Sequence, residues 1–160
     1  MTVYKEINDW VYEYFELDTP ASEFGDFEPI VNKWNSKRQN SGLPSWSDFD
    51  FYDFRGWHGK VNKYSISYNP FNFRVDLFGS EFVELFGKDW TGKTGRDLLH
   101  DNINNDFEME FNEFFCTHSL IARMSGPLPW EGRSHRHCSI IEIPLSQDQK
   151  TVTHTIEIML

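Results

Sequence analysis

The sequence predicts an α+β domain: a five-stranded antiparallel sheet with helices on one face, preceded by N-terminal helices. Three observations predict it. Apolar residues recur at helical spacing near the N-terminus and again around residues 107–118. The period switches to two over 64–77 and 152–160. The chain also closes on consecutive strand-like runs with no helix between them, the order of an antiparallel sheet and not of alternating βα units.

Each element follows from a local pattern. Ile7, Trp10, Val11 and Tyr14 form one helical stripe, which Thr19-Pro20 breaks. Asp26 is placed to cap a second helix, with Glu28 and Pro29 in its first turn and Phe27, Ile30, Val31 and Trp34 on one side. Gly42 and Pro44 stop it. Residues 46–57 are rich in aromatics and Asp with weak periodicity, and read as a short helix or turn. Tyr64, Ile66 and Tyr68 then alternate with serines, Asn69-Pro70 turns the chain, and Phe73, Val75 and Leu77 alternate with Arg74 and Asp76, giving a hairpin. Ser80 can cap a short helix carrying Phe82, Leu85 and Phe86; Gly87 and Gly92 bracket a tight connection, and 95–100 make a further helical turn. The strongest helical stripe is Phe107, Phe111, Phe114, Phe115 and His118. The tail is β: a short run over 119–124, a strand over 139–145, a polar turn over 146–150, and an alternating strand with Val152, His154, Ile156, Ile158 and Leu160 on one face.

Composition narrows the function. One domain of ordinary size accounts for 160 residues, and neither an internal repeat nor a low-complexity tract suggests a second. We divide it into an N-terminal helical extension over 1–25, a candidate dimerisation element, and a single domain over 26–160. Fifteen Phe, six Trp and six Tyr supply a large core and, tiling space coarsely, can leave a cavity. A net charge of −10 with no basic stripe argues against nucleic acid and anionic membranes as partners. No apolar run reaches a membrane span, the N-terminus lacks a signal core, and two cysteines make no disulfide framework, so a reducing cytoplasm is expected.

The order of elements and one run of residues carry a resemblance. Phe73 to Leu99 reads FRVDLFGSEFVELFGKDWTGKTGRDLL, with Gly79, Gly87, Asp89, Thr91 and Gly92 punctuating a strand, a short helix and a turn. It resembles a bacterial, mainly alphaproteobacterial, subfamily of PAS domains. Trp34, Gly42-Leu43-Pro44 and Asp48 upstream, and Ile143-Pro144-Leu145-Ser146 downstream, are similar to the same subfamily's flanks. Asp76 and Phe51 depart from it, standing where Arg and Pro are usual. The resemblance implies a PAS fold, a regulatory or sensory role and, often, a homodimer.

Other constellations carry less. Gly87 to Thr94 satisfies the P-loop expression, but Glu84 interrupts the run before it, Gly95 opens the helix after it, and no βα alternation follows. Cys116-x-His118 and His135-x-His137-Cys138 have metal-ligand chemistry without the spacing of a zinc finger. His100 and His118 are the candidate haem ligands of a PAS-type pocket. No glycine elbow, catalytic triad or motivated carboxylate pair is evident, so the chain is read as no enzyme, without cofactor or bound metal.

The expectation is a sensory module binding a small, mostly apolar ligand and signalling through protein contacts. The expected pocket is Phe73, Val75, Leu77, Phe82, Phe86, Trp90, Phe111, Phe115, His118 and Ile156. A ligand-free scaffold dimerising through the N-terminal helix, with Trp10, Val11 and Tyr14 at the interface, is the alternative.

Overall fold

A computed structural model describes residues 3–7, 9–99, 105–128 and 137–160. Its centre is one antiparallel sheet of seven strands: β1 (Val3–Ile7), β2 (Trp10–Phe15), β3 (Val61–Ser67), β4 (Asn72–Leu77), β5 (Ile121–Pro127), β6 (His137–Leu145) and β7 (His154–Met159). The strand order is β1-β2-β5-β6-β7-β3-β4. Helices α1 (Glu28–Lys37), α2 (Ser80–Phe86), α3 (Gly95–Leu99) and α4 (Asn105–Thr117) accompany it, with short 3-10 turns at Ala21–Phe27, Trp46–Asp48 and Phe51–Phe54.

This corrects the expected five-stranded sheet with N-terminal helices. The segment read as a first helix is a β-hairpin that extends the sheet beyond β5. Trp10, Tyr12 and Tyr14 satisfy a period of two as well as Ile7, Trp10, Val11 and Tyr14 satisfy the helical one, so pattern alone does not decide. Tertiary bonds do. Trp10 Nε1 donates to Pro127 O at 2.8 Å, Tyr14 OH donates to Phe111 O at 2.9 Å, and Arg123 grips Glu13 with Nε–Oε2 at 2.8 Å and Nη2–Oε1 at 3.1 Å. A Cβ at Gly126 would come within 2.6 Å of the Trp10 ring, so only glycine admits the indole there. The helix-mediated dimer loses its helix.

The helices also lie on both faces, not one. Directly paired residues of antiparallel strands share a face. One face, called outer here, carries Phe15, Ile121, Arg123, Ile141, Ile143, Ile156, Ile158, Val61 and Lys63. Residues 21–57 cover it: Phe24 packs on Phe15 with ring centres 4.7 Å apart, and Lys63 lies over the Trp46 ring. In α1, Ile30, Val31 and Trp34 are buried, with Trp34 fully so, and its Nε1 donates to Pro144 O at 2.9 Å. The opposite, inner face carries Tyr12, Tyr14, Ala122, Met124, Ile140, Glu142, Thr155, Glu157, Asn62, Tyr64, Phe73 and Val75. Here α4 lays Phe111 against Tyr12 and Tyr14, α2 lays Phe82 in a cluster with Tyr64, Val75 and Ile140, and α3 begins against the Phe73 ring.

Trp34 joins the outer layer to a central strand by both volume and a hydrogen bond. Trp34→Ala is expected to cost about 3–5 kcal/mol, read as a shift of the urea unfolding midpoint at unchanged slope. Gly126→Val is expected to unseat the hairpin, read as fast hydrogen exchange confined to β1 and β2.

Candidate functional site

The inner face holds a polar row in an otherwise apolar layer. Across the sheet, Ala122 pairs with Glu142, Glu142 with Glu157, and Glu157 with Asn62. Thr155 and Tyr64 pair beside them. Glu142 is 3% exposed, and Asn62 and Thr155 are fully buried. Thr155 Oγ1 donates to Glu142 Oε1 at 2.7 Å. Glu157 Oε1 accepts from Asn62 Nδ2 and from Tyr64 OH, each at 2.8 Å. Asn62 Oδ1 in turn accepts the Gly79 N–H at 2.8 Å, and the Gly59 backbone sits where a Cβ at 79 would be, so Asn62 is locked by a close backbone approach.

The electrostatics are those of acids without a counter-ion. Burial pushes Glu142 well above the usual carboxylate range, and the facing Glu157 pushes it further. Burial raises Glu157 too, against the bonds from Asn62 and Tyr64 that favour its ionised form. On α4, burial and then the charge of Glu157 raise Glu108. The surrounding weak acids follow: Tyr64 is raised by burial and by Glu157, Cys116 by burial and by Glu142, and Cys138 is pushed up to about 12. Among the described residues no Lys, Arg or His pairs with Glu142, Glu157 or Glu108. Glu157 itself is half-buried.

The residues singled out from sequence distribute unevenly around this row. Val75 is buried on the inner face, and Phe73 is half-buried with its ring edge-on to Tyr64 at 5.4 Å. Phe82, Phe86 and Trp90 gather around Phe78 at one end, with Phe78 and Trp90 stacked at 5.3 Å. Phe111 and Phe115 are buried beneath α4. Three do not join. Leu77 is 45% exposed, because the pairing slips between Lys63 and Tyr64 and breaks the alternation. Ile156 is fully buried on the outer face, since its neighbour Glu157 takes the inner one. His118 is exposed: α4 ends at Thr117, Leu120 N–H reaches back to Phe115 O, and the imidazole stacks on Phe114 at 4.1 Å.

The other candidates are placed as follows. His100 and His135 lie outside the described residues. His137 is exposed while Cys138 is buried, so these neighbours point to opposite sides of β6. No group of three His, Cys, Asp or Glu suited to a metal ion occurs among the described residues. Gly87–Thr94 follows a helix instead of a strand, and five of its N–H groups are occupied: Gly87 bonds Val83 O, Thr91 bonds Asp89, Gly92 and Lys93 bond Val75 O and Trp90 O, and Thr94 bonds Asp97.

Sequence reasoning passed over Glu142 and Glu157. Their signal is a repeated Ile-Glu-Ile, at 141–143 and 156–158, in strands that are apolar on both sides of the acid. A carboxylate in such a strand reads as solvated only while the second face is taken to be open.

No family model matches the chain, nor does any curated protein or solved structure. Among the described residues no helix is long and apolar enough to cross a membrane.

Two carboxyls that keep their protons in the folded chain beyond the ordinary value of 4.5 make folding bind protons above that pH. Unfolding free energy therefore falls as pH rises from 4.5 through the raised folded values. His154, pulled below 6.5 by burial, works in the opposite direction up to that pH, and Asp148, held down to about 2, acts only in acid. Comparing wild type with Glu142→Gln isolates the pair. The Gln carbonyl can keep the Thr155 bond and its amide can donate to Glu157, so the variant is expected to be more stable near pH 8 by about 1–3 kcal/mol. Its denaturation midpoint is expected to decline less between pH of about 5 and about 8. A parallel decline in both proteins would place the titrating groups elsewhere.

Proposed function

We propose that the chain is a non-enzymatic sensory module that takes a small molecule on the inner face of its sheet, beneath α2, α3 and α4. One observation carries the reading: Glu142 and Glu157 stand in register on a helix-covered face, with hydrogen bonds from described residues reaching only one oxygen of each carboxyl. A mostly apolar layer with a few convergent polar groups is the usual make-up of a ligand site. Phe73, Phe111 and Tyr64 supply apolar wall, and Asn62, Thr155 and the two carboxyls supply polar anchors.

The resemblance of Phe73–Leu99 to a PAS subfamily supports a sensory role, and kinship with that family is proposed on that run and its flanks alone. Signalling would proceed through the packing of α4 on β2. That contact joins Phe107 and Phe111 to Tyr12 and Tyr14, and it spans the covered face. A ligand that favours one packing of α4 shifts the population that a partner protein reads. A cytoplasmic location belongs to the same proposal.

Native mass spectrometry of untagged protein tests it. The expected result is a mass exceeding the chain by one small molecule, or a stabilising hit in a thermal-shift screen of metabolites. A bare-chain mass together with a blank screen overturns the reading.

A further inference from the structure

We draw no further inference here: the strongest candidate, the exposed aromatic patch formed by Phe51 and Tyr52 on the 3-10 turn Phe51–Phe54, is an unpartnered apolar surface, and nothing in the structure shows what covers it.

Discussion

Covering both faces of one antiparallel sheet is the constraint from which the rest of this structure follows. A sheet solvated on one side sends every second side chain to water. Here residues 21–57 close the outer face and α2, α3 and α4 close the inner one, so the central strands have no wet side. β6 is buried from Ile140 through Leu145. Ile141, Ile143, Ile156 and Ile158 fill the outer side, and any polar residue on the inner side must find partners within the fold. Glu142 and Glu157 find some, through Thr155, Asn62 and Tyr64, and they find them by register: each partner is the directly opposed residue or its neighbour on the same face.

Much of the architecture was legible because the hydrophobic period is honest wherever one element has one partner. Ile30, Val31 and Trp34 repeat at helical spacing and all three are buried; Tyr64 and Val75 alternate with polar neighbours and face each other across β3 and β4. The failures share a cause. Residues 3–15 carry aromatics at spacings that suit a helix or a strand, and the choice is made by Arg123, Pro127 and Phe111, more than ninety residues away along the chain. Leu77 drops out of its alternation because of a pairing slip at Lys63 and Tyr64, and His118 leaves its stripe because the helix ends one residue earlier. None of these is a property of a local window.

The candidate site was misread for a related reason. Choosing Ile156 for the pocket and passing over Glu157 assumes a single covered face; covering the second face reverses what the alternation means. The same residues, in the same strand, exchange roles. Phe82 and Phe111 were found because a large ring is buried under either assumption. A carboxylate is placed only by knowing what lies above it.

The contrast between the two kinds of glutamate in this sheet bears on why the inner row exists. Glu13 and Arg123 form a two-bonded pair that fixes the hairpin to β5, at a position half open to water where the cost of desolvation is modest. Glu142 has no such partner, and the residue opposite it on β5 is Ala122, the smallest side chain of the row. A core selected for stability alone would place an apolar residue at 142 and a larger one at 122, because replacing buried charge with packed hydrocarbon is usually neutral or stabilising. Two acids instead stand in register beside an alanine, each with one carboxyl oxygen that receives no donor among the described residues. The inner row thus departs from what stability alone would select, and it does so at the one place among the described residues where register sets two acids face to face.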